Sequence, residues 1–151
     1  MTKEYRQCVG IVVVKNKKVL LCERNDVKGA WQFPQGGVEK GEDFIDAGLR
    51  ELKEETSISS VEVISTIDKA LSYDFPLSFT SNIARNYKGQ ALKWILVRFT
   101  GHDDEINLKT KEQEFESYAW VDIDEALKKI VEFKKQVYLD VVNKFKPKVE
   151  A

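Results

Sequence analysis

The chain has 151 residues, enough for one domain that buries a core without disulfides or a structural metal. Hydrophobic residues make up 42% and charged residues 32%, with a net charge of -1. That balance excludes a disordered chain and gives no global pull toward nucleic acid or a membrane surface, so attraction for an anion has to come from a local patch.

The opening residues, Met1 to Arg6, are polar and do not read as a secretory signal. No apolar run approaches the ~20 residues that a membrane helix needs, so a soluble, cytoplasmic protein is expected. Val9 to Val14 is a continuous apolar run rich in β-branched residues and predicts a buried strand. Asn16 to Lys18 reads as a turn, and Val19 to Cys22 as the second strand of a hairpin. Cys8 and Cys22 lie among apolar residues and read as reduced, buried thiols. With the single histidine, His102, they make a poor zinc set, and His102 itself falls in a polar surface loop.

Asn25 to Gly29 reads as a polar loop, and Trp31 to Gly37, with its proline and paired glycines, as an irregular, tightly turned segment. Trp31, Phe33 and Trp94 read as core. Asp43 to Thr56 predicts a helix and Val61 to Ile67 a strand. Leu71 to Gln90 is ambiguous, part of it reading as a long loop that ends at Lys88-Gly89. Leu92 to Phe99 is a strong strand pattern and Tyr118 to Val121 a short one. Asp122 to Ile130, opened by an acidic cap, and Phe133 to Phe145 predict helices. An early hairpin, further strands and three separated helices predict a mixed sheet packed between helices, in a single domain spanning residues 1–151.

On a helical wheel of Asp43 to Thr56, Ile45, Leu49, Leu52 and Thr56 fall on one stripe, the expected core face. Glu51, Glu54 and Glu55 fall on another sector, with Ala47 and Gly48 one turn earlier over it. Three carboxylates therefore gather with nothing bulky above them. Like charges at this spacing repel, and a hard cation such as magnesium relieves that repulsion while also binding phosphate oxygens. Taken alone, these residues also suit a solvated helix face with an Arg50–Glu54 pair. Gly36-Gly37 and then Gly41-Glu42 precede the helix, and glycines let a phosphate or metal approach the main chain; an ordinary turn is the alternative.

Together these residues match the Nudix box: Gly36, Glu42, Arg50-Glu51, Leu52, Glu54-Glu55, Ser57 and Ile58, at fixed spacings over 23 positions. One position departs, since Ser57 stands where the family has a glycine that ends the helix in a left-handed conformation. Outside the box, segments such as Tyr5-Arg6, Tyr73 to Pro76, Tyr87 to Gln90 and Glu105 to Leu108 resemble the subgroup of bacterial RNA 5′-pyrophosphohydrolases and dinucleoside polyphosphate hydrolases. The resemblance covers about Tyr5 to Phe145.

The resemblance implies a Nudix-type α/β/α sandwich with a mixed sheet. It implies that Glu51, Glu54 and Glu55 bind divalent cations, that Arg50 orients Glu51, and that the main-chain carbonyl of Gln35 reaches a metal. Glu114 resembles the subgroup's extra carboxylate, a metal ligand or a general base. Magnesium is the implied cofactor, or manganese in its place, as two or more ions. Arg6, Arg24 and Lys134 resemble phosphate contacts, and Phe133, with Val131 beside it, a base contact. Tyr73 sits where the diadenosine-tetraphosphate-cleaving branch often has a tyrosine. The implied reaction is attack of water on a phosphoanhydride of a nucleotide polyphosphate or an RNA 5′ end, with no membrane partner and no recognition of DNA sequence. Two other readings are hydrolysis of an oxidised nucleotide or nucleotide sugar, and a module that binds nucleotide or RNA without cutting.

Overall fold

The computed structural model describes residues 3–151. Two long strands form its spine: β1 (Glu4–Lys15) and β6 (Tyr87–Phe99) run parallel, in register from Tyr5 opposite Gly89 to Val14 opposite Arg98. Alternate residues of this pair feed two separate cores. Val12, Val14, Leu92, Trp94 and Leu96 join one, while Ile11, Val13, Ile95, Val97 and Phe99 join the other. A strand buried on both faces needs an unbroken apolar run, which is the pattern of Val9 to Val14. The hairpin to β2 (Lys18–Arg24) turns at Asn16 and Lys17, with φ of 52° and 64°, the left-handed pair that a tight hairpin turn requires.

The sheet continues outward through antiparallel partners. The strand β5 (Val61–Asp74) lies on the far side of β6; β7 (Phe115–Val121) and the short β3 (Trp31–Gln32) pair with β2; β4 (Gln35–Gly37) pairs with the start of β1. The helix α1 (Phe44–Thr56) covers one face. The long α4 (Lys135–Val149) covers the other, with the short α3 (Glu125–Lys129) beside it. This is the expected sandwich of helices about a mixed sheet. No helix among the described residues is long and apolar enough to cross a membrane. Cys8 and Cys22 are free and buried, as expected.

Several boundaries differ from the sequence reading. The Trp31 to Gly37 segment is extended rather than tightly turned, because both of its ends find strand partners. The ambiguous stretch from Leu71 to Gln90 divides into the end of β5, a connecting segment, the short α2 (Asn82–Asn86) and the start of β6. The predicted helix at Asp122 begins only at Glu125, since the Asp122 carboxylate pairs with Lys18 at 2.5 Å instead of capping. Phe133 lies in a 3-10 turn, Glu132–Lys134, ahead of α4. Phe33 and Trp94 are fully buried, but Trp31 is only half-buried, with the Lys129 ammonium 5.8 Å from its ring centre. His102 is exposed, as expected.

Candidate active site

The carboxylate helix is well ended at both termini. Asp43 caps its start, accepting from the backbone N–H groups of Ile45 at 3.0 Å and Asp46 at 3.3 Å. Ser57 ends it in the left-handed conformation, φ 70°, with its N–H donating to Lys53 at 2.9 Å. The Ser57 hydroxyl donates to the carbonyl of Asn107 at 2.8 Å, a bond that glycine at this position cannot make. The departure from the box therefore keeps the helix end and adds a tie to a neighbouring loop.

The face that α1 buries differs from the wheel. Ala47, Gly48, Leu52, Glu55 and Thr56 are buried, whereas Ile45 and Leu49 are only partly so. A methyl group on Gly48 would meet Ile95 at 2.7 Å, so the helix backbone lies close on the sheet. Small residues permit that approach, and it carries Glu51 and Glu55 inward while Glu54 stays exposed. The three carboxylates share one sector of the helix, as expected, but Glu51 and Glu55 turn toward the packed side while Glu54 lies at its exposed edge.

Arg50 ties the site together. Its Nε and Nη2 donate to the two carboxylate oxygens of Glu42, each at 2.9 Å, and Nη2 also donates to the Gly37 carbonyl at 3.0 Å. Its Nη1 donates to Glu51 at 2.8 Å and to Glu54 at 3.3 Å. The Arg50 hydrogen bond holds the Glu42 carboxyl down at about 2, and the same contact raises Arg50. Glu42 thus anchors Arg50, a part that the sequence reading did not assign to it, although its place in the box signalled it.

Glu51 lies directly against the main chain of Gly36, where an added Cβ would come within 2.1 Å of its carboxylate. Neither Gly36 nor Gly37 has a positive φ, so these glycines supply space rather than an unusual backbone. At Gly37 the neighbour is the Arg6 guanidinium, 2.6 Å from an added Cβ. Glu55 is 4% exposed, and among the described residues neither of its carboxylate oxygens has a hydrogen-bond partner. Burial pushes its carboxyl well above the usual range, and the charges of Glu114 and Glu51 add to the effect. Glu51 is raised by burial, against the pull of Arg50. Glu114 is raised by its partial removal from water inside the cleft and then by the charge of Glu51, although the residue is still reached from the cleft mouth.

A buried carboxyl without a partner is costly to ionise unless a cation joins it. The available donors are all oxygens, the set that magnesium and similar hard cations take. As the side chains stand, no three His, Cys, Asp or Glu residues among the described residues close on one ion-sized point, with Glu54 turned to Arg50.

Beside these carboxylates opens a cleft of about 580 Å³. Gln35, Gly36 and Glu114 are part of its lining. Arg6, Arg24 and Lys134 bring positive charge, and Tyr73, Val131 and Phe133 bring apolar surface. Arg50, Glu51, Glu54, Glu55 and Gly37 do not line the cleft; they lie behind Gly36 and on the helix. Lys134 is 6% exposed, and burial, followed by repulsion from Arg24, lowers its ammonium to about 8. Arg24 is gripped by Asp26 through two bonds of 2.8 and 2.6 Å, which offset part of its charge. Tyr73 is buried and donates to Gln90, which also accepts from Gln35 at 2.9 Å. Asp26 and Gln90 are cleft residues that the sequence reading did not single out; no short-range spacing joins them to the box.

The NUDIX domain pattern matches residues 4–141. The chain belongs to the Nudix family. An RNA pyrophosphohydrolase of Pelagibacter ubique is 46% identical over 144 residues, covering 93% of this chain and 91% of that one. The chloroplastic Nudix hydrolase 26 of Arabidopsis thaliana is 41% identical, covering 93% of this chain and 69% of that one. Among solved structures, the dihydroneopterin triphosphate pyrophosphohydrolase of E. coli superposes with a TM-score of 0.70 at 22% identity, covering 94% of this chain and 99% of that one. The Ap4A hydrolase of C. elegans gives 0.65 at 20% identity, covering 93% and 98%. At such identities these structures establish the shared fold alone. The chain is a Nudix hydrolase, and the enzymes of this family work with a divalent cation.

Proposed function

We propose that this Nudix hydrolase removes pyrophosphate from 5′-triphosphorylated RNA, cleaves dinucleoside polyphosphates, or does both. One observation carries the reading: Glu114, Arg6, Arg24, Lys134 and several aromatic rings line a single cleft, and Glu51 lies directly behind Gly36 on its wall. Carboxylates, cations and aromatic rings gathered in one place suit a polyphosphate with a nucleoside attached. The relatives named RNA pyrophosphohydrolase support the RNA version.

Glu51, Glu54 and Glu55, with Glu114 and the Gln35 carbonyl, would hold magnesium, as two or more ions; manganese suits the same oxygens. When bound, the cation offsets phosphate charge and lowers the pKa of a water. Arg50, itself fixed by Glu42, holds Glu51 in place. Arg6, Arg24 and Lys134 bind the phosphate oxygens and align the chain. Water attacks one phosphorus in line, the phosphoanhydride bond breaks, and the leaving phosphate oxygen keeps the electron pair. The proton of the water passes to one of the four glutamates Glu51, Glu54, Glu55 and Glu114. The reaction is placed in the cytoplasm.

Product analysis tests this. Purified protein with magnesium is incubated separately with 5′-triphosphorylated RNA and with diadenosine tetraphosphate, with Glu54→Gln as control. The RNA should be left with a 5′-monophosphate, and the faster of the two substrates identifies the main one. Turnover of neither, with wild type matching the control, refutes both versions and turns attention to oxidised nucleotides, nucleotide sugars or binding without cutting.

A further inference from the structure

Four aromatic rings line one wall of the cleft. Tyr73, Phe75 and Phe133 also pack against the core beneath α4. Phe79 does not: it belongs to neither core cluster, and its ring is half-buried against other cleft rings. It stacks on Phe75 with ring centres 4.9 Å apart and planes 19° apart, and it meets Phe133 at 6.0 Å and 59°. A phenylalanine that adds nothing to the core, yet faces a cleft lined with cations, is placed for a ligand.

Phe79 sits on the segment joining β5 to α2. Among the described residues, the hydrogen bonds of Pro76 to Thr80 stay within the segment, as in Phe79 N–H to the Pro76 carbonyl at 2.9 Å. Leu77 is fully exposed. Side-chain packing alone therefore holds the Phe79 ring, and the ring can shift without breaking a strand. The Lys134 ammonium lies 5.9 Å from the Phe133 ring centre and 5.4 Å from that of Tyr73. A phosphate bound at Lys134 therefore lies beside these rings.

We propose that Phe79 is a base-stacking residue, taking with Phe133 the nucleobase of the nucleoside that carries the polyphosphate. The inference deepens the function proposed above and rests on it. Every base offers a flat face to an aromatic ring, so this wall favours nucleosides over bare polyphosphate without selecting one base.

The test compares Phe79→Ala and Phe79→Tyr with wild type on two substrates. One is 5′-triphosphorylated RNA, and the other is the same RNA made abasic at its first nucleotide. On intact RNA, Phe79→Ala should raise KM about 5- to 100-fold. Phe79→Tyr should restore KM to within about threefold, with kcat near wild type in both variants. On abasic RNA the wild-type KM should rise to meet that of Phe79→Ala. Melting temperatures should match, because the ring supports no core. An equal KM for wild type and Phe79→Ala on intact RNA overturns the inference, as does a penalty that persists on abasic RNA. So does a change in sedimentation from dimer to monomer with unchanged kinetics, which would make Leu77 and Phe79 a self-association face. Failure of the wild type to cleave intact RNA at all strikes the proposed function itself, a separate outcome.

Discussion

Replacing Gly36 by alanine should disable the site while sparing the fold. The backbone there has no positive φ, so alanine meets no conformational barrier. Its Cβ would stand 2.1 Å from Cδ and Oε2 of Glu51 and 2.4 Å from Cγ. Ordinary contact begins near 3.4 Å, so the carboxylate has to retreat by about 1.3 Å. It is not free to do so, because Arg50 holds its other oxygen at 2.8 Å and is itself clamped by Glu42 and the Gly37 carbonyl. A misplacement of about 1 Å at a reacting centre costs about 100-fold in rate. Overpacking of this kind costs about 1–3 kcal/mol, or about 2–12 °C in melting temperature for a domain of this size. The assay is kcat/KM for pyrophosphate release beside a thermal melt. Gly37→Ala is the control, since its Cβ would meet only the flexible end of Arg6; kcat should stay within about threefold while KM rises. Near-normal kcat/KM in Gly36→Ala, with an unchanged melt, would refute the idea that Glu51 must occupy the space above Gly36.

Two further outcomes follow from the buried charges. Glu55→Gln should melt higher than wild type in chelator at neutral pH, by about 1–3 kcal/mol, because it removes a buried carboxyl that is costly to ionise and has no partner. Its folded pKa lies above the unfolded value of 4.5, so the native state holds the extra proton and wild-type stability falls as pH rises from 4.5 through the raised value; the variant should lack that slope. Magnesium at about 100 times its Kd should stabilise the wild type by ~2.7 kcal/mol and the variant far less, and equal stabilisation of both would count against Glu55 as a ligand. Lys134→Met should flatten the alkaline limb of KM: the wild-type ammonium, lowered to about 8, loses its charge above that pH, so phosphate affinity should fall there. A KM that rises equally in both proteins would assign the limb to another group.

The local pattern of the chain determined a good deal. The apolar run at Val9 to Val14, the box from Gly36 to Ile58 and the helix between Asp43 and Thr56 were legible because strand and helix periods and fixed spacings are properties of neighbouring residues. The choice of Glu51, Glu54 and Glu55 as one side of a helix followed from the same geometry. Which side of that helix packs was decided only by the sheet: Gly48 lets α1 settle onto Val9 and Ile95, and Glu51 and Glu55 go in with it while Glu54 stays exposed. The cleft likewise depends on contacts between residues far apart in sequence. Gln35 meets Gln90, Arg24 and Glu114 line the same cleft from distant positions, and Phe79 reaches Phe133 across more than 50 positions of chain. The ambiguity between Leu71 and Gln90 has the same cause. That segment is shaped by the rings it packs against rather than by a period of its own, so the chain carries its residues but only the tertiary structure gives them a place.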